Sequence, residues 1–421
     1  MRGRLAVTGC LAVSAAVGLA ACGGGSSSGG GGTASGSTLN IYSSLPLQGA
    51  SRPQSEALVN GIKLAIKQAN NKAGKFSVKY TSLDDSTAQA GKWDPGQVSS
   101  NARKAAQDKS TILYLGEFNS GASAISIPIL NRAGIGQISP SNTAVGLTAD
   151  VPGAEPGEPA KYYPTGKRTY VRVVPKDTIQ GAALATVMKD EGCKKPYILN
   201  DKEVYGQGIG KNTQNSLKTA GIPALANEGW DPKAPNYRSV ASKISAKSAD
   251  CVLVAGITDN NGVQLTKDLA AGVPNAKIYG PDGVCESAWV DPKKGGFPTS
   301  IDSKVECTVA TLDPNSYPPE GKKFFTDYKA TYGDSNPDPY AVYGYETMAL
   351  ALDAIKRAGA KGNNRQAVIN SLFATKDRKS VLGTYSIDKN GDTSVTDYGL
   401  YTIKNGQLSF DRVIKAKGAS A

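Results

Sequence analysis

From residue 39 onward, short apolar segments alternate with segments of helical period, and the whole alternation occurs twice in succession. The first series places strands at 39–44, 76–83, 111–116, 136–139 and 170–174, with helices near 54–73, 97–109 and 121–133. Within 54–73, Leu58, Ile62, Ala65 and Ala69 fall on one face and Lys63 and Lys67 off it, the 3.6-residue period of a helix. The second series places strands at 196–199, 223–228, 251–257, 277–280 and 305–311, separated by helices near 178–191, 204–220, 236–247 and 260–271. Short apolar strands joined through helices point to parallel sheets covered on both faces. Two series therefore predict an α/β chain of two doubly wound lobes. A long helix at 340–358, a shorter one at 364–373 and a strand pair around 385–387 and 398–403 complete the pattern, and the Pro/Gly-rich stretch 151–166 is expected to protrude as a loop.

The first 38 residues have a different character. Arg2 and Arg4 precede a short apolar run to Ala21 that suits a secretory signal peptide and is too short and small-residue-rich for a membrane-spanning helix. The run closes on Leu19-Ala20-Ala21-Cys22, which resembles the lipobox of bacterial lipoproteins. That resemblance implies that Cys22 is lipidated and becomes the first residue of the mature chain; an ordinary signal peptide is the alternative. Residues 23–38 consist of Gly, Ser, Thr and Ala, a composition that behaves as a flexible tether with a root-mean-square span of about 20–24 Å. No later stretch reaches 18 consecutive apolar residues.

Composition narrows the chemistry further. The 421-residue chain contains no histidine, which excludes Ser-His-Asp and Cys-His nucleophiles and imidazole-held metals. Without Arg2 and Arg4 its Lys and Arg fall from 48 to 46, so the net charge drops from +12 to +10. These cations are scattered, with no run of four, so no basic stripe for nucleic acid is present. Once Cys10 and Cys22 are set aside, Cys193, Cys251, Cys285 and Cys307 remain, an even number suited to an oxidising compartment and open to three pairings. In an open sheet of strand order 2-1-3-4-5 the first and third strands are neighbours, as are the fourth and fifth. If the second lobe has that order, the pairs are Cys193–Cys251 and Cys285–Cys307.

Motifs for catalysis or cofactors are weak. Gly206-Gln-Gly208-Ile-Gly210-Lys211 has neither phosphate-loop spacing, and Asp388-Lys-Asn390-Gly-Asp392 has its glycine at the fourth position where a calcium loop needs it at the sixth. Asp84-Asp85 at a strand end reads as a helix-capping pair. The chain is expected to use no cofactor or metal and not to be an enzyme.

The stretch 112–148, ILYLGEFNSGASAISIPILNRAGIGQISPSNTAVGLT, resembles the leucine/isoleucine/valine-binding protein family, the type I periplasmic substrate-binding components of branched-chain amino acid ABC importers. NDKEVYGQG (200–208), YGPDGV (279–284), PYAVYGYETMALALDAI (339–355) and LGTYSIDKNGD (382–392) match further family segments in the same order, so the similarity covers about 39–405. The resemblance implies a first lobe of 39–174 with 312–380 and a second of 175–311 with 381–421, joined by a three-segment hinge at crossovers near 175, 311 and 381. It also implies a ligand site at strand carboxyl ends, where open α/β sheets bind ligands. In this site Ser120, with first-turn N–H groups, holds a carboxylate. Ser141 and Thr143 contact both ends of the ligand, Asp282 pairs with the ammonium, and Tyr205 and Tyr340 close over it. Each has a purely structural alternative, as an N-cap, a turn or a packing residue.

The sequence also departs from the family. Ser141-Asn142 is polar where branched-chain binders are typically small and apolar, and Gln54 and Ile257 stand where those binders often present aromatics. The expected function is thus an extracytoplasmic lipoprotein, a monomer, that captures an amino acid by hinge closure and delivers it to an ABC permease. A ligand-sensing module for a membrane receptor, a non-amino-acid ligand such as an amide, and a carboxylate-based hydrolase stay open as alternatives.

Overall fold

The computed structural model describes residues 32–416. The signal segment 1–21, Cys22 and most of the tether lie outside the described residues. Two parallel sheets dominate. In the first, Thr38–Leu45 pairs in parallel with Phe76–Asp84 on one side and Thr111–Gly116 on the other, and Gly136–Ser139 and Tyr170–Arg172 follow in order. In the second, Pro196–Asn200 lies between Ala226–Gly229 and Cys251–Ala255, with Lys277–Gly280 and Val305–Val309 beyond. Both sets of parallel strands run 2-1-3-4-5, the order assumed above for the second lobe. The central strands are buried along their length, which is why they read as unbroken apolar runs such as Cys251-Val-Leu-Val-Ala255.

That order decides the cysteines. Cys251 sits on the strand beside Pro196–Asn200 and Cys307 on the strand beside Lys277–Gly280. The bridges are Cys193–Cys251 and Cys285–Cys307, with Cα separations of 6.0 and 5.5 Å.

The helices Arg52–Gln68 and Ala341–Arg357 cross in direct backbone contact over the first sheet. A Cβ on Gly61 would stand 2.1 Å from the Ala341 carbonyl oxygen, and one on Gly344 would stand 2.2 Å from that of Leu58. The reciprocal glycines let the two N-terminal ends meet, so that Gln54 Oε1 accepts the Tyr340 N–H at 3.0 Å. Tyr340 is thereby carried to the cleft between the lobes.

Four sequence expectations need correction. The segment 151–166 does not protrude: Tyr162 and Tyr163 are buried, the Tyr163 hydroxyl donates to the Leu147 carbonyl at 2.7 Å, and Tyr162 donates to Glu158. The end of the tether is docked, not free, since Ala34 is buried and its N–H donates to the Asn363 carbonyl at 2.7 Å. The strands near 385 and 398 do not pair with each other. Gly383–Tyr385 forms a hairpin with Arg378–Ser380, whereas Tyr398–Lys404 joins the second sheet antiparallel to Val305–Val309, with Gln407–Ile414 outside it. The hairpin stays on the first lobe because Glu346 accepts from both Arg378 and Tyr385, so the third crossover lies after Tyr385 instead of near 381. A helix at Pro319–Tyr332 was not anticipated; its Tyr328 hydroxyl donates to the Ala57 carbonyl at 3.3 Å. No helix among the described residues is long and apolar enough to cross a membrane.

Candidate functional site

The carboxyl ends of both sheets face one cleft. The first lobe lines it with Phe118, Asn119, Ser120 and Ser141, together with Tyr340; the second lobe supplies Glu203, Tyr205, Ile257, Asp282 and Gly283. Of the residues expected from the sequence, the cleft collects Ser120, Ser141, Tyr205, Ile257, Asp282 and Tyr340. It does not expose Gln54, Asn142 or Thr143.

On the first wall, strand Thr111–Gly116 ends and helix Ser120–Arg132 begins within three residues. Asn119, not Ser120, is the N-cap, and its side chain makes no capping bond. Its Oδ1 is buried with no hydrogen-bond partner. The Ser120 hydroxyl accepts the Ala144 N–H at 3.3 Å, which leaves its own proton free to donate. Ser141 Oγ donates to the Phe118 carbonyl at 3.0 Å, tying the two ligand-facing loops together.

Asn142 works behind that wall. Its Nδ2 donates to the carbonyls of Phe118 and Glu117 at 2.8 and 3.1 Å, and its Oδ1 accepts from Tyr170 at 3.1 Å. A wholly buried arginine finishes the frame: Arg172 donates to the carbonyls of Asn142 and Ala144 at 3.0 and 2.9 Å and to Asp392 at 2.8 Å. The Thr143 carbonyl accepts the Asp177 N–H at 2.8 Å, while its hydroxyl is buried and unpaired.

The second wall is acidic and phenolic. Asp282, at the end of strand Lys277–Gly280, accepts from Tyr205 at 2.5 Å and from Tyr340 of the other lobe. Gly283 makes room for this arrangement, because a Cβ there would lie 2.5 Å from the Tyr205 ring. Burial raises the Asp282 carboxyl above its ordinary value, against the lowering effect of the two phenols. Asp177, fully buried with both oxygens unpaired, is pushed well above the usual range by burial and by the charge of Asp282. Further back on the first lobe, burial carries Glu117 up to about 7. The Ile257 N–H donates to Asp201 at 3.0 Å, so the backbone is fixed and the side chain is left to face the cleft.

Sequence reasoning missed Phe118, Asn119, Glu203 and Gly283. All four stand within two residues of positions it named, in the same strand-to-helix turns, so taking each turn as a unit would have found them. The glycine motif at 206–210 opens helix Val204–Thr219, where a Cβ on Gly206 would lie 2.0 Å from Asp201 and 2.6 Å from the Ala255 carbonyl oxygen. Gly206 thus serves packing. The one group of three metal-ligating side chains among the described residues, Cys193, Asp250 and Cys251, has its two sulfurs joined in a disulfide.

Two parallel-sheet lobes that close a polar cleft, with hydroxyls on one wall and a paired acid on the other, define a two-lobe small-molecule binding protein. The periplasmic binding protein family model matches residues 40–407, and the chain belongs to that family, which includes the leucine/isoleucine/valine-binding proteins. It is 25% identical over 358 residues to an amino acid binding protein of Pseudomonas aeruginosa, covering 85% of this chain and 87% of that protein. It is likewise 25% identical over 368 residues to a Leu/Ile/Val-binding protein homologue of Brucella suis, covering 86% of this chain and 89% of the relative. The leucine-binding protein LivK of Thermotoga maritima shares the fold with a TM-score of 0.76 at 22% identity, covering 89% of this chain and 98% of that one. A solute-binding protein of R. palustris crystallised with benzoate gives 0.73 at 20% identity, covering 91% of this chain and 98% of that one. Members of the family are extracytoplasmic binding proteins, not enzymes.

Proposed function

We propose that this chain captures an α-amino acid by closing its two lobes and presents the closed form to an ABC permease, held at the membrane by a lipid on Cys22. The observation that carries the ligand class is Asp282, a buried acid held by two phenols directly across the cleft from Ser120 and Ser141. An ammonium would add the cation that a buried carboxylate lacks. Hydroxyl and first-turn N–H donors on the opposite wall suit the ligand's carboxylate. Among the described residues, neither Lys nor Arg lines the cleft. An aromatic acid such as benzoate brings a negative charge and no ammonium, so this site disfavours it. The unpaired Thr143 hydroxyl and the unpaired side-chain amide oxygen of Asn119 add polar groups close to the same loops.

The test is a thermal-shift screen of the purified protein against the common amino acids, their amides and benzoate. A native-state ligand at a hundredfold excess over its Kd stabilises by about 2.7 kcal/mol, a readily measured shift. A hit among amino acids supports the reading; a response to benzoate with silence from every amino acid overturns it. For the anchor, Cys22→Ser should abolish incorporation of labelled fatty acid, and labelling that persists rejects Cys22 as the attachment site.

A further inference from the structure

A small hairpin of the first lobe reaches over the mouth of the cleft. Ser86–Thr87 pairs antiparallel with Lys92–Trp93, and both residues of the second strand bond Glu203 of the second lobe. Lys92 Nζ donates to Glu203 Oε1 and to Asn260 Oδ1, each at 2.6 Å, and Trp93 Nε1 donates to Glu203 Oε2 at 3.1 Å. Asn260 Nδ2 completes the group by donating to Glu203 Oε1 at 2.9 Å. The Lys92 and Glu203 side chains are 29% and 16% exposed, so the pair is sheltered from much of the solvent screening that weakens surface ion pairs. Beside it, Asp259 Oδ1 of the second lobe accepts the N–H groups of Ala50 and Ser51 at 2.5 and 3.2 Å, at the start of helix Arg52–Gln68. Apart from the Asn260–Glu203 bond, which lies within the second lobe, these bonds run between lobes, and rotation of one lobe away from the other must break them.

Glu203 also lines the ligand cleft. Both its oxygens are already occupied, and one of its partners is a full positive charge. We infer that Lys92 and Trp93 form a clasp on Glu203 that favours the closed form of the cleft, adding to what a ligand contributes, and that reserves the Glu203 charge, so that the site takes ligands with uncharged side chains. The second half rests on the amino-acid reading above; the first half does not.

Tryptophan fluorescence separates the two. The chain has three tryptophans, and Trp230 and Trp289 are 1% and 0% exposed, so Trp93 dominates the response to an external quencher. In ligand-free protein, Lys92→Met and the isosteric Glu203→Gln should each increase acrylamide quenching and shift emission to the red, while Lys92→Arg restores the wild-type value. Quenching unchanged from wild type in both variants overturns the clasp, and wild-type melting temperatures exclude misfolding as the cause of a change. Titrations with L-leucine and L-lysine then read the reserved charge. Lys92→Met should favour L-lysine over L-leucine by roughly tenfold relative to wild type, the scale of one hydrogen bond between charged groups. Equal preference before and after overturns that half of the inference. If wild-type protein binds no amino acid at all, the amino-acid reading and the reserved charge fail together, while quenching still decides the clasp.

Discussion

The two walls of the cleft are built from opposite materials. The first-lobe wall is neutral and offers donors: the Ser120 hydroxyl and a helix start, braced from behind by Asn142 and Arg172 so that the backbone keeps its aim. The second-lobe wall is made of acceptors, with Asp282 and Glu203 at its face. A ligand held by one wall alone would use half of its polar groups and would not favour closure. Closure draws its free energy from contacts that both lobes make at once, and the asymmetry makes those contacts different in strength. A carboxylate on the neutral wall is held by dipoles, whereas an ammonium on the acidic wall is held by a charge in a buried setting. The second wall should therefore dominate affinity.

Removing that charge is the most direct way to break the comparison. Asp282→Ala is expected to weaken amino-acid binding by about 1.5–3 kcal/mol, the range for hydrogen bonds to a charged group, as read by isothermal titration calorimetry. Unchanged affinity would reject Asp282 as the ammonium partner. The same wall should carry a pH dependence. Burial raises the Asp282 carboxyl in the free protein, and an ammonium favours its ionised form, so binding releases a proton at pH values below the raised value. Affinity should rise with pH through that value and then level off. Asp282→Asn should flatten the profile, while a slope that survives in the variant would point to another group, with Glu117 at about 7 the first to test.

The frame behind the neutral wall should respond through stability first. Asn142→Ala takes one of two donors from the carbonyls of Glu117 and Phe118, which keep the Ser139 and Ser141 hydroxyls, and it strands the buried Tyr170 hydroxyl. Buried polar groups left unpaired cost on the order of 1–3 kcal/mol each, so a lowered denaturant midpoint is expected with an unchanged m-value. A midpoint equal to wild type would mean that water replaces the amide without loss.

How much of this was legible in the sequence varies with the range of the interaction involved. The parallel sheets were legible from alternation, because parallel strands buried on both faces must be apolar throughout; the strand order was an assumption about the fold type, which the structure bears out. The disulfide pairs followed from the order. The hairpin Arg378–Ser380 with Gly383–Tyr385 did not, since its place is set by Glu346, which lies more than thirty residues away in the chain. The buried tyrosines at 162 and 163 were hidden for a similar reason: Pro and Gly around them signal turns, and nothing local shows that the turns fold back onto Leu147. At the site, resemblance named positions but could not say which way their side chains point. Gln54 turned out to hold the Tyr340 backbone, and Asn142 to brace a loop, because each has a long-range partner that a linear reading cannot see. Phe118 and Asn119 were overlooked although adjacent to Ser120, since neither residue type by itself announces a binding role.

The neutral wall offers the smallest effect and the sharpest check on the asymmetry. Ser120→Ala removes a hydroxyl that accepts one N–H, from Ala144, and has its own proton to spare for a ligand carboxylate. The neighbouring N–H groups of the helix start remain, so the loss in affinity should be about 0.5–1.5 kcal/mol, the net worth of an ordinary hydrogen bond. Calorimetry on Ser120→Ala and Asp282→Ala with the same amino acid places the two walls on one scale. If the serine costs as much as the aspartate, the carboxylate end carries the charge recognition after all, and the contrast between a dipolar wall and a charged one is wrong. If it costs distinctly less, the ligand is anchored by its ammonium on the second lobe and aligned by its carboxylate on the first.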